Sequence, residues 1–455
     1  MSQHIKLKKG FNINLAGKPQ QVVAEADRSE TFSVKPTDFI GIIRPKVTVR
    51  EGDVVKAGTP VLFDKKMNQV MYCAPVSGEV VEIVRGEKRK LLEIKILADK
   101  QIEYEQFKEH SASELSGISR EQAQETMLKG GVWPQLIQRP YGIVANPEDT
   151  PKAIFISTFD THPLAPDYDV LLKNQASFFE AGIEILKKFT SGKVNLGVNA
   201  DAEVSPIFSN VKGVQVNKFS GPHPAGNVGV HIHHTDPIGK GDLVWTIDPY
   251  GVVQIGKMFL NGVFDASKTI ALTGSEVKEP KYYQTYIGAC IDKLVEGNIK
   301  QEHVRYISGN VLTGEKISKQ GYLGFYHHQL TVIPEGDQYE FLGWLKPTTS
   351  KLSFHRALGL LSFLNPKKEF VLTTNTLGEE RAFVQTGIFE KVTPMDILPE
   401  YLIKAIMAED YDDMEALGIF EVIEEDLALC EFIDVSKHEI QAILREGINL
   451  IKATT

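Results

Sequence analysis

Apolar and polar positions change rhythm several times along the chain, and each rhythm predicts a different element. Between Val47 and Leu62 short apolar runs alternate with Gly52-Asp53 and Gly58-Thr59-Pro60, which predicts short strands closed by turns. Ala74-Pro75-Val76-Ser77-Gly78-Glu79-Val80-Val81-Glu82-Ile83 repeats that pattern about a glycine, as in a strand bent hard at a small residue. From about 115 to 250 the segments lengthen. Ser119, with Gln122 three residues on, predicts a capped helix running to Lys129. Ala153 to Ser157 reads as a short buried strand, Leu171 to Phe189 as a helix and Val194 to Val198 as a strand again. Strand, helix and strand at this spacing predict an α/β unit with parallel strands. His231-Ile232-His233 reads as a strand with both imidazoles on one face. Between 252 and 330 the apolar runs shorten around Gly/Pro breaks. After Pro394 the positions Ile397, Leu398, Leu402, Ile403 and Ile406 share a helix face, and Ile440, Ile443, Leu444, Ile448 and Ile451 mark a last helix from Glu439 to Lys452.

A length of 455 residues suits three or four domains, and 42% apolar with 24% charged residues is globular composition. The most apolar stretch of the C-terminal third, Ala357 to Leu364, stops at Asn365-Pro366, short of the roughly 20 residues a bilayer requires. No membrane span is therefore expected, and Met1 to Gly10 has no apolar core of a secretory signal. Cys73, Cys290 and Cys430 lie too far apart in sequence to make a disulfide framework, which fits a reducing compartment. The net charge of −9 conceals an asymmetry: residues 1–95 carry 17 Lys/Arg against 11 Asp/Glu, while 390–434 hold 14 acids against Lys391 and Lys404. Such an acidic chain is a poor nucleic-acid binder. Its basic N-terminal part offers either an ordinary solvated face or a surface for anionic lipid or an acidic partner.

No motif of self-sufficient catalysis is present. Gly309-Asn310-Val311-Leu312-Thr313-Gly314 has P-loop glycine spacing but continues Glu315-Lys316, without the Lys-Ser/Thr that grips phosphate and Mg2+. Neither a Gly-x-Ser-x-Gly elbow nor a His-Glu-x-x-His occurs. The histidines at 223, 231, 233 and 234 stand out, with Asp236 nearby. One strand with two imidazoles makes only half a zinc site, so no metal is expected; a neutral imidazole donating to a carbonyl oxygen suits them better. Ser220-Gly221-Pro222-His223-Pro224-Ala225-Gly226 predicts a stiff loop, with φ fixed at two prolines and close backbone approach at two glycines.

Two local resemblances precede a global one. The halves around Gly58 and Gly78 resemble the biotinyl/lipoyl carrier fold, although Asp64-Lys65-Lys66-Met67-Asn68 lacks the Ala-Met-Lys-Met of biotin carriers. Thr273-Gly274-Ser275-Glu276-Val277 with Gly288 to Leu294 resembles the soluble-ligand-binding β-grasp (SLBB) module. Phe219 to Gly226, His231-Ile232-His233, Val244-Trp245-Thr246-Ile247, Ile255-Gly256-Lys257, Arg139-Pro140-Tyr141, Phe341-Leu342-Gly343-Trp344, Met395 to Pro399 and Glu424 to Cys430 follow in family order. Together they resemble the A subunits of Na+-translocating NADH:quinone reductases over almost the whole chain.

That resemblance implies a multidomain α/β and α+β protein. Its domains would be a biotinyl/lipoyl-like barrel-sandwich over 1–100, a degenerate Rossmann-like α/β domain over 101–255, a β-grasp domain over 256–335 and a C-terminal helical domain over 336–455. The family is similar in turn to the flavin- and NADH-binding subunit of respiratory complex I and to the C subunits of Rnf-type complexes. Their glycine-rich flavin loop corresponds here to Lys129-Gly130-Gly131-Val132-Trp133-Pro134-Gln135-Leu136, and their acidic Glu-x-Glu-Pro segment to Ser157 to Pro163, with one acid left. Trp133 stands where backbone must approach a phosphate, and Cys430 has no neighbouring thiol for a cluster.

The resemblance therefore implies a peripheral subunit on the cytoplasmic face of the inner membrane. It would dock on membrane subunits, with flavins and iron–sulfur centres in partner subunits and no cofactor of its own, and would help form a quinone site. The quinone-contacting candidates are Gly221, Pro222, His223, Pro224, His231, His233 and Trp133. The competing readings are a biotinyl/lipoyl carrier and a flavin-dependent NADH dehydrogenase subunit.

Overall fold

A computed structural model describes residues 4–454, except 26, 339, 343–347, 349 and 355–366. The apolar stretch Ala357 to Leu364 and the pair Gly343-Trp344 lie outside the described residues.

The described residues build four sheets and a C-terminal group of helices. Thr31–Val34, Leu91–Ala98, Gly78–Arg85 and Val54–Val55 form one sheet of a barrel-sandwich, and Pro45–Val47, Pro60–Asp64 and Met67–Cys73 form the other. Gly78 makes the bend between them possible: at φ +154° a Cβ there would sit 1.9 Å from Leu97 O. A six-stranded sheet follows later in the chain, with Ser267–Thr273, Lys281–Tyr286, Val304–Ser308, Glu315–Ile317 and Gln329–Pro334. Its edge strand, Val23–Ala24, comes from the N-terminal segment.

The α/β domain holds a seven-stranded sheet in the order His4–Lys6, Gln215–Ser220, Val194–Asn199, Ile154–Ser157, Val244–Thr246, Ile137–Arg139, Ile143–Val144. The first five strands run parallel, and the last two are antiparallel additions. Ser119 caps Arg120–Lys129 through a capping box with Gln122, as its spacing predicts. The helical stretch 171–189 is two helices, Tyr168–Leu171 and Ala176–Leu186, separated where Asn174 takes a left-handed φ of 63°. Ala176–Leu186 packs closely on Pro249–Asn261. A Cβ at Gly182 would lie 2.0 Å from Val252 O and one at Gly256 1.8 Å from Phe178 O, so the helices meet backbone to backbone.

One expectation is corrected. His231 and His233 lie on a helix, Val228–Thr235, rather than a strand. The parallel strands Gln215–Ser220 and Val244–Thr246 are separated in the sheet by Val194–Asn199 and Ile154–Ser157, and the connection between them crosses over as a helix, the usual way parallel strands are joined. Residues two apart on a helix point to different sides, so the two imidazoles diverge.

Helices Phe389–Val392, Pro399–Met407, Tyr411–Ala416, Glu424–Ile433 and Ile440–Thr454 complete the chain. Leu402, Ile403, Ile406, Ile440, Leu444, Ile448 and Ile451 are buried in one core with Leu7, Ile13 and Leu15 from the N-terminal segment, whereas Leu398 is exposed. No described helix is long and apolar enough to cross a membrane.

A candidate binding cleft at the strand switch point

Strand order in the parallel sheet reverses beside Ile154–Ser157. The chain moves from it to Val194–Asn199 on one side and returns to Val244–Thr246 on the other. Such a switch point opens a crevice at the carboxyl ends of the strands, and a cleft of about 320 Å³ lies there. Ser157 and Thr246 from the two strand ends line it, with Arg139, Tyr168, Gln329 and Glu425 among its other walls.

Beyond Ser157 the chain turns tightly. Ser157 Oγ lies 2.9 Å from Phe159 O and 2.8 Å from Gly226 O, and its one hydroxyl proton is shared between these two carbonyls. Asp160 Oδ1 accepts from His162 N at 2.7 Å and pairs with His162 Nδ1 at 2.6 Å. Burial opposes charge on both groups, but their mutual attraction outweighs it: Asp160 is lowered to about 2 and His162 is raised above its usual range. His162 Nε2 is buried without a partner, although the residue lines the cleft.

A second acid–imidazole pair faces the cleft from elsewhere. Asp248 caps Pro249–Asn261, accepting from Gly251 N at 2.6 Å, and pairs with His328 Nε2 at 2.5 Å. Burial and nearby Lys268 lower the His328 pKa despite Asp248.

The remaining wall comes from the C-terminal helices. Arg139, 1% exposed, binds Asp426 at 2.6 Å and also binds Glu425, both in the first turn of Glu424–Ile433. Asp426 Oδ1 lies where a Cβ on Gly229 would come within 2.2 Å, against the first turn of Val228–Thr235. The other Asp426 oxygen, Oδ2, accepts from Ile423 N at 3.0 Å and from Arg139, whereas Oδ1 has no hydrogen-bond partner among the described residues. Asp160, Asp248 and Glu425 also stand on the walls of the cleft, paired with His162, His328 and Arg139.

The residues singled out in the sequence take other positions. His223, 1% exposed, lies behind His162 at 4.6 Å between ring centroids, and its Nδ1 bonds Thr161 Oγ1 at 3.1 Å. Burial and then His162 hold its pKa down to about 3. The N-terminal segment braces its loop: Asn12 Oδ1 accepts from His223 N at 2.8 Å, and Gly221 packs where a Cβ would meet Leu7 O at 2.5 Å. Pro222 and Pro224 flank His223 in this braced turn; of the loop, Gly226 reaches the cleft lining.

His231 stacks on Phe219 at 3.9 Å and reaches Ala225 O at 2.8 Å; burial lowers its pKa to about 4. His233 accepts from Asp396 N at 2.9 Å through Nε2 and donates from Nδ1 to Glu421 at 2.7 Å, tying its helix to the C-terminal group. Trp133 is fully buried: its Nε1 donates to Ala145 O at 2.8 Å, and its ring meets Phe189 and Trp245 edge-on at 5.5 Å each.

The glycine-loop remnant therefore belongs to packing. Gly131 has φ +76°, and a Cβ on it would lie 2.8 Å from the Cys73 side chain, so a barrel strand closes over the loop. The cysteines stand apart in three regions, with Cys73 beside Lys129 O, Cys290 beside Gln320 O and Cys430 beside Thr393 Oγ1. Their placement converges on no cluster site.

The class defined by this architecture is a multidomain protein in which a parallel α/β domain is flanked by a barrel-sandwich, a β-grasp sheet and a C-terminal helical group. Three family models match the chain: the NqrA N-terminal barrel-sandwich hybrid domain over 5–99, the NqrA second alpha/beta domain over 118–264 and the NQRA C-terminal domain over 269–319. The A subunit of the Na(+)-translocating NADH-quinone reductase of Alcanivorax borkumensis is 38% identical over 99% of both chains. That of Pasteurella multocida is 39% identical over 98% of this chain and 99% of its own. This chain belongs to that family, the A subunits of a multi-subunit sodium-translocating oxidoreductase. Among solved structures, a chain of an NAD+-reducing [NiFe]-hydrogenase covers 78% of this chain and 67% of its own at 11% identity and a TM-score of 0.36, too remote to carry an argument.

Proposed function

We propose that the chain is a peripheral subunit on the cytoplasmic face of its membrane complex and that its switch-point cleft receives a quinone headgroup. Flavins and iron–sulfur centres then reside in partner subunits. One observation carries the reading: His162, His327 and His328 line the cleft beside Asp160, Asp248 and Glu425, and His162 Nε2 has no hydrogen-bond partner among the described residues. A neutral ring with carbonyl acceptors suits such a site better than a phosphate-bearing nucleotide. Its volume of about 320 Å³ falls at the lower end of the range for small-ligand pockets.

In this reading His162, held by Asp160, donates a hydrogen bond to a quinone carbonyl, and His223 and Thr161 position it from behind. Calorimetric titration of the purified chain with a short-chain water-soluble quinone tests the site. Saturable binding that weakens by about 2- to 10-fold in His162→Gln, the loss of one hydrogen bond, is expected. Equal binding by parent and variant would remove the cleft from the quinone site. The same preparation should lack a flavin absorption band and stoichiometric iron; a flavin band would restore the flavoprotein reading, and stoichiometric iron would defeat the reading of a chain without its own redox centre.

A further inference from the structure

The turn carrying Lys65 and Lys66 joins the strands Pro60–Asp64 and Met67–Cys73, and the loop at 40–44 is tied to it. Asp64, 4% exposed, accepts backbone N–H bonds from Ile43 at 3.1 Å, Arg44 at 3.0 Å and Lys66 at 3.2 Å. Lys65 N donates to Arg44 O at 3.1 Å. The carboxylate is thus turned inward to the backbone, and the two loops form one fixed tip.

Arg44, Lys46, Lys65 and Lys66 are all exposed on this tip, and none has a carboxylate partner among the described residues. Ile40 and Ile43 on the same loop are 43% and 59% exposed. Lys452, near the end of the last helix, adds another cation at its side; burial, and then Arg445 and Lys66, disfavour its charge. Exposed cations with no ion pair among the described residues, beside exposed branched side chains, make an unusual surface for a chain of net charge −9.

We propose that this tip rests on anionic lipid headgroups of the membrane that holds the partner subunits. Isoleucine side chains enter the boundary between headgroups and acyl chains, and the long Lys and Arg stems keep their charges at the phosphates. A convex turn and loop suit a lipid surface better than they suit an acidic peptide, which is usually received in a groove or on a sheet edge. The proposal rests on reading the chain as a peripheral subunit.

Flotation of the full chain with vesicles tests it, using phosphatidylcholine alone or mixed with phosphatidylglycerol. Binding is expected only with phosphatidylglycerol and should fall several-fold as salt is raised. The double substitution Lys65→Glu and Lys66→Glu should abolish it, and Ile43→Ser should weaken it several-fold, with unchanged circular dichroism and Tm because these side chains are exposed. Absence of binding by the parent chain, or binding that survives charge reversal, overturns the proposal. So do cross-links from Lys65 or Lys66 to carboxylates of a partner subunit without vesicle binding. A parent chain that ignores vesicles but assembles with its membrane subunits removes the tip's role alone. Failure to assemble defeats the peripheral reading beneath it.

Discussion

Asp160 and His162 each hold a charge against burial because the other is there, and that makes their contribution to stability pH-dependent. Asp160 is lowered to about 2, so its share is present above the ordinary carboxylate range, about pH 4, and is lost as pH falls toward 2. His162 is raised, so its share is present below its unfolded pKa of about 6.5 and is lost as pH rises through the elevated folded value. The pair therefore stabilises most in weakly acidic solution. Asp160→Asn should cost about 1–3 kcal/mol there and progressively less toward pH 2, read from urea unfolding across pH. A cost that stays constant down to pH 2 would show that the pair's charges are not what stabilises it. His231 poses a different question, since its ring fills space against Phe219. His231→Ala should destabilise by about 2–4 kcal/mol, and His231→Phe, which keeps the packing and loses the bond to Ala225, by only about 1. Equal losses would mean that the hydrogen bond rather than the stacking dominates.

At the scale of elements, sequence pattern decides where the period is long. The Ser119 cap, the parallel strands at 154 and 194 and the last helix all carry enough residues for their spacing to decide. His231-Ile232-His233 misleads because three alternating residues fit either period, and the deciding fact is the crossover between distant parallel strands. The cleft is half legible. Arg139, Asp160, His162 and Glu425 lie within stretches that the family resemblance picks out, but pairing Asp248 with His328 needs 80 residues of folded chain between them. Trp133 reads in the sequence as a block to phosphate and as a quinone-contacting candidate, yet it packs in the core, because Cys73 of the barrel covers the loop.

The helix contact at Gly256 gives a direct test of element packing. Since a Cβ would meet Phe178 O at 1.8 Å, Gly256→Ala must push the helices apart and should cost about 2–4 kcal/mol despite its better helix propensity. A stabilised variant would refute the backbone contact.

Shared apolar cores, edge strands and a few ion pairs hold the molecule together across its domains. The N-terminal segment supplies edge strands to two sheets and apolar side chains to the C-terminal core. Arg139 spans from the α/β sheet to Glu425 and Asp426 on a C-terminal helix, and Arg445 reaches back to Tyr141 O at 2.7 Å from the last helix while pairing with Glu424. One side of the cleft is therefore the interface between the α/β domain and the helical group, and its integrity depends on Arg139. Removing that guanidinium leaves Asp426 buried without its counter-ion, beside the partly exposed Glu425, and breaking a buried pair from one side costs about 3–5 kcal/mol. Arg139→Ala should accordingly loosen the helical group before the rest of the chain unfolds. Hydrogen exchange should rise in Glu424–Ile433 and Val228–Thr235 while the barrel strands stay protected. Arg139→Ala together with Asp426→Asn should recover some of the loss, because the orphaned charge is removed with its partner. Uniform exchange throughout the chain, or no recovery in the double variant, would show that packing rather than this ion network joins the α/β domain to the helical group.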